Sequence, residues 1–322
     1  GLFKGLSEIG GGTSQQLADS LGLNERWVRE WLQHQACVNQ IEYEEETQRF
    51  SISPEAAAVL VDEDSPAYLM GAYHSALSVF PAAEKLEDAF RSGIGMTYDE
   101  HGSSCACGME KMGAYTKKHR LVQEILPLVP GLVERLSKGI KVADVGCGGA
   151  LSTVVMAQAF PSSTFVGYDT SEHALDLARK NIEEMGVQNV TVANPSEQPL
   201  PSDSTLDFVT TFDVVHDTPY PDQMIQDIYG ALATGGQWLC EDIKGLNSFE
   251  ENLREHPMAA MLYGFSITIC MSSGLSTADG AGLGTLGFTE ALAEKMMTNV
   301  GFSEFANLEV DTPLNNYYLA TK

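Results

Sequence analysis

Asp144, Gly146, Gly148 and Asp169 are the residues whose types and spacing bear most directly on chemistry. In Lys141 to Ala150, the apolar or small Val142, Ala143 and Val145 suit a buried strand, with Asp144 near its end. A glycine turn follows at once, and Leu151 to Phe160 reads as a helix. That order lets backbone N–H groups and a helix N-terminus meet the polar end of a nucleotide-like ligand. The spacing, D-x-G-x-G-x-A, differs from the longer G-x-G-x-x-G of dinucleotide binders, and no P-loop lysine follows. A second apolar run ends on Asp169, about 20 residues past the turn, where a carboxylate can accept hydrogen bonds from both hydroxyls of a ribose. Asp169 also suits the N-cap of a helix over 171–185, which is compatible with that role.

Those residues need elements to position them. Apolar runs predict strands at 141–145, 164–168, 189–193, 206–212 and 236–242, alternating with helices at 151–160, 171–185 and 221–233. Alternation of this kind implies a parallel sheet with helices on both faces, and ligands beyond the carboxyl ends of the strands. Asp144, Asp169, Asn194 and Asp213 each stand at or just past such an end. Lys244 to Thr289 then interrupts the alternation with a Met- and aromatic-bearing helix and a glycine-rich run, 272–287, read as a lid on the substrate side. Phe288 to Gly301 is helical, and 304–310 with 315–321 form a closing antiparallel pair.

The front of the chain reads as a winged helix over 1–66. Helices are expected from Thr13-Ser14 to Leu21 and from Glu25 to His34, then a small hairpin within 37–52 and a helix from Ser53-Pro54 to Val61. A helical linker and cap covers 67–137, with a break near Pro81, a loop over 91–108 and further breaks at Pro127 and Pro130. Tyr98, Met112 and Tyr115 in this stretch are candidates to touch cofactor or substrate, packing being the plainer role. Residues 138–322 make the remaining domain, with 244–289 inserted.

Charge excludes one class of function. The chain has 322 residues and a formal net charge of -25, 19 Lys and Arg facing 44 acids. A nucleic-acid binder gains affinity by neutralising phosphates. Residues 1–60 instead carry Lys4, Arg26, Arg29 and Arg49 against nine acids, four of them (Glu42, Glu44, Glu45, Glu46) in the expected wing. The winged helix is therefore expected to dimerise and cover substrate, not to bind DNA. No apolar run is long enough to span a membrane. Six irregularly spaced cysteines predict neither a disulfide framework nor a metal site, and suit a reduced, cytoplasmic setting. The chain opens without Met, so an upstream helix is allowed for.

With these residues in hand, 141–242 resembles the core of the class I S-adenosylmethionine (SAM) methyltransferases. Asp144, Gly146 and Gly148 match motif I, Asp169 the ribose acid, and Leu206 to Val214 the motif IV strand. The front domain, the run Phe212 to Asp217 and the turn at Gly235-Gly236 are similar to Rv2258c-like methyltransferases and, more broadly, to winged-helix small-molecule O-methyltransferases. The resemblance implies an α/β, Rossmann-like, doubly wound seven-stranded sheet behind an N-terminal winged-helix domain. It implies SAM as cofactor, S-adenosylhomocysteine (SAH) as product, a small-molecule acceptor and a homodimer. In that class a His-Asp pair after motif IV supplies the base, and His216-Asp217 falls at the matching place. Two departures stand out. Ala150 replaces the third glycine, and Asn194 and Ser196 stand where an acid usually meets adenine.

Methyl transfer from a sulfonium is an in-line displacement, so alignment supplies much of the rate and the acceptor needs a free lone pair. His is the side chain whose ordinary pKa, about 6.5, suits deprotonating an alcohol, phenol or amine. His216 is the expected base, with Asp217 orienting it or capping the next helix; His101 and His256 are weaker candidates. The competing readings are a non-catalytic SAM or SAH sensor or scaffold, and a nucleotide-linked oxidoreductase on a related sheet.

Overall fold

The protein is described by a computed structural model covering residues 1–322. The chain divides into two compact units, one of residues 1–73 with 111–116 and the other of 74–110 with 117–322.

The first unit begins with a helix over Leu2–Glu8 that the sequence reading left out. Thr13 caps Ser14–Leu21 through a reciprocal pair with Gln16, and Asn24 caps Glu25–Cys37. Strands β1 (Glu42–Glu44) and β2 (Arg49–Ser51) form the antiparallel wing, and Ser53 caps the helix Pro54–Leu60. Leu6, Leu17, Val28, Leu32, Ile41 and Phe50 bury one shared apolar core.

The second unit is built on seven strands: β3 (Lys141–Val145), β4 (Thr164–Tyr168), β5 (Val190–Ala193), β6 (Leu206–Phe212), β7 (Leu232–Ile243), β8 (Glu304–Leu308) and β9 (Asn315–Thr321). Their order across the sheet is β5-β4-β3-β6-β7-β9-β8, parallel from β5 to β7, with β9 reversed. The α/β doubly wound sheet of seven strands expected from the sequence is thus present. Alternate residues feed two cores. Phe165, Phe208, Leu239 and Tyr317 bury on one face, and Val209, Trp238, Tyr318 and Phe288 on the other. The chain leaves β3 toward β4 on one side and returns to β6 on the other. That reversal falls between β3 and β6, and the carboxyl ends of strands at such a point are where open α/β sheets bind ligands.

Two local expectations are corrected. The helix Met70–Ser92 runs straight through Pro81, at the cost of one backbone hydrogen bond. Residues 102–108 are not loop: they begin the helix Gly102–His119, in which Cys105 and Ala106 are buried. The glycines there argued for a loop, and tertiary burial overrides propensity. The stretch 244–289 is well structured in its first half, with helices Phe249–Glu255 and Ala259–Phe265. As expected, the helical stretch after 109 breaks before Leu132–Lys138.

Candidate active site

The glycine turn after β3 is fixed from below and from beside. Register pairs Asp144 with Thr210 of β6, so the Thr210 hydroxyl donates to the fully buried Asp144 carboxylate at 2.9 Å. Ser152 and Thr153, on the helix Leu151–Ala159, donate to its other oxygen at 2.7 and 2.6 Å. Asp144 is therefore a clamp holding strand, turn and helix together. Burial raises its pKa, and the three hydroxyls work against that rise. Gly146 and Gly148 both take left-handed φ, 72° and 55°. A Cβ on Gly146 would stand 2.4 Å from Val214, so this position must stay glycine for the turn to pack there, whereas Gly148 faces open space.

Asp169 closes the turn from the neighbouring strand. Its Oδ2 accepts from the Gly148 N–H at 2.8 Å, and its Oδ1 from the Ser171 N–H at 2.9 Å. Ser171 caps the helix Glu172–Met185 and also donates to Asp99 at 2.7 Å. Asn194 and Ser196 are tied in a turn after β5, Asn194 reaching back to Glu172 at 2.9 Å. Tyr115 and Met112 lie in the first unit, apart from these groups in the division of the chain.

Beyond β6 the chain turns on Asp213, a non-glycine residue at φ 58°, held by Asn315 at 2.7 Å. His216 follows, 3% exposed. Its partner is not Asp217. Nδ1 lies 2.6 Å from Asp242 Oδ1, at the end of β7. Pairing of Phe212 with Glu241 puts the two strand ends side by side, whereas the neighbouring Asp217 acts on His216 through its charge alone. Asp242 is the candidate site residue that sequence reasoning missed. The signal was Glu241-Asp242, two acids closing an otherwise apolar strand. Cys270 also meets the His216 ring, and Cys105 and Cys270 share a small core with Tyr98 and Ile269. His101 is buried beside Tyr98, while His256 bonds the Lys244 carbonyl at 2.9 Å.

This edge is crowded with acids. Burial, against the opposing charge of His216, pushes Asp217 up to about 7. Burial and the Asp242 charge push Asp213 up to about 6, and burial and Asp213 push Glu241 up to about 8. For His216, burial alone would lower the pKa, but the Asp242 charge outweighs it and holds the ring protonated well above its ordinary range. Lys117, over the Phe212 ring at 5.4 Å, is the other cation facing this cluster. Such a site suits a cationic ligand.

Carboxyls raised in the fold bind more protons folded than unfolded, so the fold gains as pH falls through about 8 to 5. His216, raised above its unfolded value, contributes in the same direction. Thermal melts of the protein alone should give a midpoint near pH 5.5 well above that at pH 8.5. The difference is on the order of 3 kcal/mol, after discounting for relaxation of buried groups. A flat or inverted profile would mean these acids are solvated.

A family described as "Methyltransferase domain" matches residues 136–297, half of the chain, and an Rv2258c-like winged HTH domain matches 1–62. A demethylmenaquinone methyltransferase from Listeria welshimeri is 34% identical over 111 residues, 34% of this chain and 47% of that protein. The chain thus spans about half the length of such curated relatives. Among solved structures, a candidate O-methyltransferase from Nostoc punctiforme superposes with a TM-score of 0.72 at 20% identity, covering 100% of this chain and 91% of that one. Human N-acetylserotonin methyltransferase, solved with SAM, does so at 0.69 and 15% identity, over 100% and 90%. Strand order, glycine turn and domain match agree: the chain belongs to the methyltransferase-domain family, with an Rv2258c-like winged helix-turn-helix domain at its front.

Proposed function

We propose that the protein transfers a methyl group from SAM to an oxygen or nitrogen of a small molecule. The observation that carries this reading is the bare glycine turn with Asp169 beside it, followed one strand over by a buried His-Asp pair. A glycine turn open at Gly148, with the carboxylate of Asp169 beside it, fits a nucleoside bearing a sulfonium. Gly146 and Gly148 would face its amino-acid end, Asp169 its ribose, and Asn194 and Ser196 its adenine. SAM, when bound there, would supply an electrophilic methyl group.

The chain's own residues do the rest. Asp242 accepts from the Nδ1–H of His216 and fixes the ring, so Nε2 is the atom that takes the acceptor's proton. Asp242 raises the proton affinity of His216, and a cation held beside the ring would lower it, so that Nε2 could act as base. Asp213 and Asp217 add negative charge that favours a cationic ligand over its neutral product. Residues 244–289 are proposed as the lid that keeps water from the transfer.

The test is release of SAH in the presence of phenols, amines and thiols, compared with SAM alone. Turnover with at least one phenol or amine is expected. Tight SAM binding with no SAH released for any acceptor would favour a sensor or scaffold.

Homodimerisation through the front domain is part of the same reading. It is supported by an open apolar groove between Leu2, Leu23, Trp27 and Trp31, in which Trp27 is 80% exposed. A single-chain mass in light scattering at micromolar concentration would contradict it. A cytoplasmic setting is supported by six unpaired thiols, and cell fractionation reads it. No helix is long and apolar enough to cross a membrane.

A further inference from the structure

The ends of three strands border an open cavity of about 500 Å³ that the proposed chemistry leaves unused. Register pairs Asn315 of β9 with Ile243 of β7, and Leu308 of β8 with Tyr317 of β9. Because β9 lies between its two neighbours, Lys244 just past β7 and Glu309 just past β8 stand on opposite sides of Asn315 and Asn316. Two strand spacings, about 10 Å, separate those sides. The volume falls within the range of about 300–1,000 Å³ usual for small-molecule sites.

The lining decides what fits. The Lys244 backbone is spent: its N–H donates to the Leu314 carbonyl at 2.7 Å, and its carbonyl accepts from His256 at 2.9 Å. Its ammonium is exposed and joins no salt bridge. The asparagines have used their amide donors, Asn307 on Glu290 at 2.8 Å, Asn315 on Asp213 at 2.7 Å and Asn316 on the Tyr318 hydroxyl at 2.9 Å. Each amide oxygen is left as an acceptor with no donor from the protein. The exposed carboxylates of Glu309 and Asp311 add acceptors on the side away from Lys244. One side therefore suits an anion, and the other a cation that donates hydrogen bonds.

We propose that this cavity binds a short aliphatic zwitterion whose carboxylate and ammonium stand several bonds apart. The carboxylate meets Lys244, the chain crosses Asn315 and Asn316, and the ammonium meets Asn307, Glu309 and Asp311. An α-amino acid, with both charges on one carbon, reaches only one side at a time. In a chain where 19 bases face 44 acids, an unpaired ammonium at the cavity is what lets an anionic group approach. The site is separate from the methyl-transfer reading and touches it at one residue, since Asn315 also holds Asp213.

The test uses 4-aminobutanoate, butanoate and butylammonium as probes, titrated calorimetrically into the full chain. The first should bind about fivefold more tightly than either single-charge analogue, the effect of one solvent-exposed ion pair. Lys244→Met should bring 4-aminobutanoate down to the affinity of butylammonium. Glu309→Gln combined with Asp311→Asn should bring it down to that of butanoate. Both variants should keep the wild-type melting temperature and SAH affinity, because the altered groups are exposed. Undetectable binding of the zwitterion, equal affinity for all three probes, or a preference that survives Lys244→Met overturns the proposal. A loss of SAH affinity in Lys244→Met also overturns it, by placing Lys244 in the cofactor site. Failure of the unaltered chain to bind SAH would overturn the methyl-transfer reading and leave this site standing.

Discussion

Asp242→Asn lowers methyl transfer about 10²- to 10³-fold while SAM affinity stays within about twofold of the wild type. The carboxylate at 2.6 Å from Nδ1 orients the ring and raises its proton affinity, so both properties change together. In the wild type the rate should climb with pH above neutrality as His216 gives up its proton. In Asp242→Asn that climb should move to lower pH, because the raising charge is gone, and level off at a lower plateau. His216→Ala should lose the pH-dependent limb altogether. Asp217→Asn, by contrast, should keep the limb, since Asp217 does not hold the ring. An unchanged rate in Asp242→Asn and His216→Ala would show that transfer runs on proximity alone.

Gly146→Ala has the second large effect, and it falls on binding. The methyl would stand 2.4 Å from Val214, and φ at 72° is strained for any residue with a Cβ. Overpacking and backbone strain each cost about 1–3 kcal/mol. Expressed in affinity, the combined change is a loss of about a hundredfold or more for SAM, read by calorimetry, together with a lower melting temperature. Adding Val214→Ala relieves the contact but not the backbone strain, so it should restore part of the stability and little of the affinity. Retention of wild-type affinity in Gly146→Ala would mean that the ligand does not approach this turn.

The sheet was legible because its central parallel strands are buried on both faces and read as mostly apolar runs, as Leu206–Phe212 does. The chemistry at strand ends was legible for the same reason: polar residues stop such runs. Asp242 was not, because it lies 26 positions from His216 and meets it only through the pairing of β6 with β7. Asp144 shows another limit. Its type and position are those of a ligand-facing acid, yet its oxygens are taken by Ser152, Thr153 and Thr210, whose short hydroxyl side chains carry no distinctive spacing. The helix Gly102–His119 was hidden by its own composition, since Gly102, Ser103, Ser104 and Gly108 favour a loop until tertiary packing decides otherwise.

Everything rests on a nucleoside with a charged sulfur settling against the turn between β3 and its helix. Calorimetric titration of the purified chain with SAM, SAH, NAD and NADP tests this most directly. SAM and SAH should bind saturably, and neither nicotinamide dinucleotide should bind. Binding of NAD or NADP without SAM would contradict it.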